Sequence, residues 1–111
     1  MSTQRVMSKE ANGTWTNRGQ AHRHRNGGGW NVLLNNAPKD WSVPLLMMDA
    51  GGLAPGTPLR VMVTRPAVEG GTDWFEVGRA WVSKAGRAVI AQVEVKLPAD
   101  ETKLVLLPHR S

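Results

Sequence analysis

The sequence contains no cysteine and no tyrosine, and phenylalanine occurs only once. Without cysteine the chain cannot build a disulfide framework or a cysteine-rich zinc site, and a reducing compartment is expected. Long apolar runs are also missing, because the longest strongly apolar stretch covers only residues 43–48, whereas a membrane-spanning helix needs about 20 residues. The first residues lack the apolar segment of a signal peptide. We therefore expect a cytoplasmic protein without a membrane partner.

The residue combinations that support catalysis or metal binding are missing as well. Acidic residues fall at expected turns or on polar strand positions, and no second group is placed by spacing to perturb them. His22 and His24 would point the same way from a strand, and His109 could add a third metal ligand. No carboxylate accompanies them, however, and the flanking arginines would repel a divalent cation. We predict no catalytic residue, no metal and no cofactor, so the protein is not expected to be an enzyme.

Glycine and proline are abundant and cut the chain into runs of strand length. The clearest strand is 88–97, in which Val89, Ala91 and Val93 alternate with polar residues. Similar runs rich in Val, Leu and Trp are 14–25, 29–36, 43–48, 58–65, 73–83 and 103–108. About seven short antiparallel strands predict an all-β barrel or sandwich.

The sequence contains an internal repeat. Trp15-x-x-x-Gly19-x-Ala21 matches Trp74-x-x-x-Gly78-x-Ala80. The match continues when the alignment of the two copies is shifted by one residue, and Trp30 then aligns with Ile90. We interpret residues 14–48 and 73–108 as two copies of a three-stranded meander in a pseudo-symmetric fold. Residues 49–72 would connect the copies and residues 1–12 would form a mobile N-terminal arm, leaving 13–111 as a single β domain.

The first copy resembles short uncharacterised proteins of bacterial plasmids and other mobile elements. The resemblance is carried by Trp15-Thr16-Asn17-Arg18-Gly19-Gln20-Ala21, then by His24-Arg25-Asn26-Gly27-Gly28-Gly29-Trp30-Asn31-Val32-Leu33-Leu34 and Pro38. Residues 77–107 are similar to the same pattern, with Val89-Ile90 in place of the aromatic-Asn pair. This resemblance implies a mobile-element or phage context, and it implies no activity.

The chain is basic, with a net charge of +5, and its first copy has a cationic stretch without acids in residues 15–30. Guanidinium groups bind phosphates and indole rings stack on bases, so this combination suits single-stranded DNA or RNA. The turn of the second copy adds further cations. The predicted nucleic-acid-binding residues are Trp15, Arg18, His22, Arg23, His24, Arg25, Trp30, Lys84 and Arg87.

Two other interpretations stay open. Trp15 and Trp74 could be core residues, with the charges only solvating an edge strand. Alternatively, surplus aromatics could form a protein interface or a homo-oligomer, since Trp81 shares its strand parity with Phe75, Val77 and Arg79. Nucleic-acid binding is the leading hypothesis, and a protein-interaction or assembly module is the rival.

Overall fold

The computed structural model describes residues 3–25, 28–98 and 101–108, and all its regular elements are β-strands. The strands are β1 (Thr3–Lys9), β2 (Trp15–Arg23), β3 (Trp30–Leu34), β4 (Leu45–Met47), β5 (Pro58–Pro66), β6 (Thr72–Val82), β7 (Val89–Val93) and β8 (Lys103–Pro108). Each run predicted to be a strand overlaps one of β2 to β8, so the all-β prediction is confirmed. The described residues include no helix long and apolar enough to cross a membrane.

The eight strands form one closed antiparallel barrel in the order β1-β2-β3-β8-β5-β6-β7-β4, with β4 returning to β1. Closure pairs every strand on both sides, which removes free sheet edges along most of the wall. The β2–β3 and β6–β7 turns lie at one end of the barrel, and the β1–β2 and β5–β6 turns lie at the other end.

The prediction of a mobile arm over residues 1–12 is wrong for residues 3–9. They form β1, which pairs with β2 and β4 and places Val6, 1% exposed, in the core. Residues 1 and 2 lie outside the described residues.

The repeat is real, but its boundaries differ from those predicted. The three-stranded meanders are β1-β2-β3 and β5-β6-β7, whereas β4 and β8 each cross to the other half. β4 pairs with β1 and β7, and β8 pairs correspondingly with β5 and β3. The strand in the predicted connector, β5, is therefore the counterpart of β1, and each half contributes four strands.

The register also corrects the predicted shift between the copies. Gly19 pairs with Leu34, and its counterpart Gly78 pairs with Val93. Arg23 pairs with Trp30 in the first half, and Val82 pairs with Val89 at the same place in the second. Trp30 is therefore equivalent to Val89, not to Ile90.

A β-bulge at Arg18 precedes Gly19, and one at Val77 precedes Gly78, because each residue lacks a partner on β1 or β5, respectively. A Cβ at Gly19 would lie 2.0 Å from the Leu33 carbonyl oxygen, and one at Gly78 would lie 2.1 Å from that of Gln92. Close backbone approach thus explains why both copies carry glycine here.

The barrel interior is filled by side chains. Inward positions on all eight strands supply the core, and an internal space lined by residues such as Val32, Leu45 and Leu106 measures about 10 Å³. That volume holds about one water molecule at most. The lumen is therefore a packed core and offers no room for a small-molecule ligand.

Candidate nucleic-acid interface

Most of the cations predicted to bind phosphate lie at the same end of the barrel. Arg23 ends β2, Arg25 lies in the β2–β3 turn, and Lys84 and Arg87 lie in the equivalent β6–β7 turn. The two turns share one barrel end because the antiparallel strands that lead into them run in the same direction. Tertiary structure thus brings together cations that are about 60 positions apart in the sequence.

We call this the basic end and define it by residues 3–5, 21–25, 28–32, 45–60, 80–91 and 106–108. It contains six cations and a single carboxylate, that of Asp49. The cations are Arg5, Arg23, Arg25, Arg60, Lys84 and Arg87. The other described residues hold seven cations and seven carboxylates. The net positive charge of the described residues is therefore confined to the basic end.

Ion pairing adds to the difference in charge between the basic end and the other described residues. Outside the basic end, Arg18 pairs with Glu10 at 2.7 Å, Arg79 pairs with Glu94 at 3.2 Å, and Arg65 pairs with Glu101. In contrast, Arg25, Lys84 and Arg87 have exposed side chains in the two turns. These three cations are therefore the best placed to meet an anionic ligand.

Arg23 has a different role from Arg25. Its guanidinium carbon lies 4.3 Å from the centre of the Trp30 ring, and its Nη1 donates a hydrogen bond to the Gly51 carbonyl oxygen at 3.0 Å. Trp30 is 1% exposed. Arg23 thus covers the core at the mouth of the barrel, and Trp30 presents no open ring face on which a base could stack.

The loop that receives Arg23 is itself held in place. Gly51 has a φ of +64°, which favours glycine, and a Cβ there would lie 1.5 Å from Arg23 Nη1. The Asp49 carboxylate accepts a hydrogen bond from the Gly51 amide at 2.8 Å, and the Gln4 side-chain amide donates one to the Asp49 carbonyl at 2.7 Å. The only carboxylate of the basic end in the described residues therefore organises its own loop.

The two histidines make separate hydrogen bonds. His22 Nδ1 lies 3.1 Å from the Thr3 hydroxyl, and His24 Nε2 lies 2.9 Å from the Asn31 side-chain oxygen. Both side chains are half-buried. Within the described ranges no three potential ligands come together as a metal site would require; His109, which the sequence offered as a possible third ligand, lies outside those ranges.

Arg18 lies apart from the basic end. At the β2 bulge its Nε donates to the Ser8 hydroxyl at 2.9 Å, its Nη2 to Glu10 at 2.7 Å and its Nη1 to the Asn36 carbonyl at 3.3 Å. Its side chain is 13% exposed. Arg18 is therefore a structural residue in this fold, and the geometry does not support the prediction that it contacts phosphate.

Trp15 also lies away from the predicted cluster. It begins β2 opposite Lys9, whereas Arg23 ends the same strand; at roughly 3.3 Å per residue the two are about 26 Å apart. Trp15 is 49% exposed and Trp74 is 51% exposed, so the interpretation of both as core residues is wrong. Trp15 cannot stack on a base that contacts the cations of the basic end.

Sequence reasoning missed two cations of the basic end, Arg5 and Arg60. They occupy the same place in β1 and β5, since Arg5 pairs with Gln20 and Arg60 pairs with Arg79, which is equivalent to Gln20. Arg5 was assigned to a mobile arm and Arg60 to a connector. The alternation of Leu59, Val61 and Val63 is a signal that would place Arg60 on the outward side of its strand, and no comparable signal exists for Arg5.

Comparisons with protein-family models, with curated proteins and with solved structures found no match to this chain.

Proposed function

We propose that this protein binds nucleic acid through the phosphate backbone, using the cations of its basic end. The observation that supports this most is the confinement of the net positive charge to one end of a barrel whose other described residues are balanced. A field of one sign on one surface attracts polyanions and orients them as they approach. Each phosphate contact releases condensed counterions, which favours binding at low salt.

The contacts are assigned to exposed side chains of the two turns. Arg25, Lys84 and Arg87 supply the phosphate ligands, with Arg5 and Arg60 extending the positive surface along the wall. Arg23 contributes charge while it covers Trp30. Neither Trp15 nor Trp30 offers a ring at this end, where Trp81 is 37% exposed, and the contacts assigned here are all to phosphate, which carries no base identity.

The test is a fluorescence-anisotropy titration with labelled single-stranded DNA, single-stranded RNA and duplex DNA. The binding variant is Arg25→Ala/Lys84→Ala/Arg87→Ala, and the matched control is Lys39→Ala/Lys96→Ala/Lys103→Ala. Both variants remove three exposed cations, so they have the same net charge, but the control removes them outside the basic end.

We expect the wild type to bind at low salt and to weaken as salt rises. Three lost contacts to a single strand should make the slope of log K against log salt shallower by about 2, since each contributes roughly 0.7. The control should retain nearly the wild-type slope. The proposal fails if no nucleic acid binds at low salt, or if both variants lose affinity equally. A mobile-element or phage context remains a prediction from the sequence resemblance.

A further inference from the structure

The two halves of the barrel differ on their outer walls. On one side, pairing across the strands aligns a continuous row of apolar residues, which we call the apolar belt. The apolar belt consists of Met7, Leu46, Ile90, Trp81 and Pro58. Trp81 is 37% exposed, and Met7, Leu46 and Ile90 are half-buried. The belt therefore presents apolar surface to solvent.

The equivalent row on the opposite wall is polar at three of its five positions. The repeat makes each belt residue equivalent to one residue of the other half. In belt order, the equivalent residues are Met62, Val105, Asn31, His22 and Thr3. Trp81 thus corresponds to His22, and Ile90 corresponds to Asn31. Because the repeat gives both rows the same backbone, the fold does not require the apolar character of the belt. A partner that covers the belt would explain it.

A second apolar surface lies on the projecting part of the β5–β6 hairpin. The pairing of β5 with β8 ends at Met62, and that of β6 with β7 ends at Gly78. Beyond these points, residues 64–76 pair only within the β5–β6 hairpin, and we call this segment the acidic ribbon. Trp74 and Phe75 are 51% and 50% exposed on opposite faces of this ribbon, so each face carries one exposed ring, and Val68 at its tip is fully exposed.

The acidic ribbon and the surroundings of the apolar belt have opposite charge. Glu69, Asp73 and Glu76 are exposed on the ribbon, while Arg65 of the ribbon is engaged with Glu101. The belt is flanked by Arg5 and Lys9 on β1, by Arg60 on β5 and by Arg79 on β6, the last of which also contacts Glu94. Apolar surface can therefore meet apolar surface while carboxylates face cations.

The dimensions of the two surfaces agree. Five strands about 4.8 Å apart give the belt a length of about 19 Å. Residues 72–76 of the ribbon extend roughly 13 Å at 3.3 Å per residue, and the turn adds to this length. The ribbon can thus lie along most of the belt.

The geometry points to self-association in which the acidic ribbon of one copy docks on the apolar belt of a second copy. The contact joins different surfaces, so two copies either exchange ribbons in a reciprocal dimer or continue as a ring or chain. The contact itself involves no nucleic acid and is tested in its absence. Arg5 and Arg60 belong both to the basic end and to the surroundings of the belt, but the association expected without nucleic acid does not depend on the proposed function.

The experiment is sedimentation velocity of the full chain, without nucleic acid, over a rising protein concentration. The ribbon variant is Trp74→Ser/Phe75→Ser, and the belt variant is Arg5→Glu/Trp81→Ser. Each has a matched control in the other half of the barrel. Trp15→Ser changes the residue equivalent to Trp74 at nearly the same exposure, and His22→Ser changes the residue equivalent to Trp81.

We expect the wild type and both controls to associate as concentration rises. Each interface variant should associate at least about tenfold more weakly, as is usual for the loss of aromatic anchors. Mixing the ribbon variant with the belt variant should restore association, because the mixture contains one intact ribbon and one intact belt. Circular dichroism checks that each variant is folded. Asp73→Lys/Glu76→Lys, which keeps both rings, is a second ribbon variant if the first does not fold.

Three outcomes would overturn the inference. The wild type could stay monomeric at every concentration, or the folded interface variants could associate like the wild type. The mixture could also fail to restore association, which would indicate that like surfaces pair with like. A ribbon that docks on the belt is incompatible with each of these results.

Discussion

The guanidinium of Arg23 lies 4.3 Å from the centre of the Trp30 ring, and the pair closes one mouth of the barrel. In the second half the same cross-strand position is occupied by Val82 and Val89. One half therefore closes its mouth with two aliphatic residues and the other with a cation over an indole. Arg23, in the cationic strand of the first copy, thus stabilises the fold in addition to carrying positive charge at the basic end.

This relationship predicts that Arg23 and Arg25 have separable effects. Arg23→Ala should lower the free energy of unfolding by about 1–3 kcal/mol, because it removes the cation–π contact and the hydrogen bond to the Gly51 carbonyl. Arg25→Ala changes an exposed residue and should alter stability by less than about 0.5 kcal/mol. Urea unfolding followed by tryptophan fluorescence measures both, and equal stabilities of the two variants would contradict this role for Arg23.

The two bulge glycines should be equally intolerant of a side chain. Gly19→Ala and Gly78→Ala each bring a Cβ to about 2 Å from a carbonyl oxygen of the neighbouring strand. We expect a loss of at least about 2 kcal/mol in each, in the range of overpacked cores. Gly13→Ala is the control: its Cβ meets nothing within 4 Å, so only the φ of +90° is strained, which costs roughly 1–2 kcal/mol. Thermal unfolding of the three variants tests this order.

The network around Arg18 predicts a non-additive pair of substitutions. Arg18→Met would leave the Ser8 hydroxyl, which is 0% exposed, without its donor from Arg18. The expected loss is about 1–3 kcal/mol. Ser8→Ala in the same chain should recover part of this loss, since no buried hydroxyl then lacks a partner. A double variant with the summed effect of both single changes would argue against the network.

Asp40 supplies a prediction about pH. Hydrogen bonds from the Ser42 hydroxyl at 2.6 Å and the Ser42 amide at 3.0 Å hold the pKa of the Asp40 carboxyl below its usual value. Because the pKa in the folded state is lower than in the unfolded state, the stabilisation is complete above the unfolded value. It is lost as the pH falls through the folded-state pKa. Ser42→Ala should raise the pKa of Asp40 toward the usual value.

An NMR titration of the Asp40 side chain in both proteins measures this change. Ser83→Ala is a suitable control because Ser83 makes no contact with Asp40 in the described structure. An unchanged Asp40 pKa in Ser42→Ala would show that the hydroxyl does not set it.

Local patterns predicted seven of the eight strands, and β1 shows why the eighth was missed. Its inward positions are Gln4, Val6 and Ser8, so two of the three are polar and the apolar alternation of a half-buried strand is absent. The two polar residues, Gln4 and Ser8, find hydrogen-bond partners far away in the sequence. Arg18 donates a hydrogen bond to Ser8, and Gln4 donates one to the Asp49 backbone carbonyl. Those partners are not visible in residues 3–9 themselves.

The predicted exposed face of β6 is wrong at one position, Val77, for a related reason. Strand parity grouped Phe75, Val77, Arg79 and Trp81, but the bulge at Val77 shifts the alternation. Val77 is 7% exposed, Arg79 and Trp81 remain exposed, and Phe75 is exposed because it lies beyond the neighbouring strand. A bulge depends on how two strands pair, and a single strand's periodicity does not reveal it.

The sequence by itself determined seven of the eight strands, the existence of the repeat and the recurrence of Gly19 and Gly78, because side-chain alternation, turn residues and close backbone approach are local requirements. Only the tertiary structure decided that β4 and β8 cross between the halves, and that the cations of two distant turns share one end of the barrel. Several strand orders satisfy the same alternation of buried and exposed residues. The choice among them depends on hydrogen bonds between strands far apart in the chain, and these bonds also determine where the charge collects.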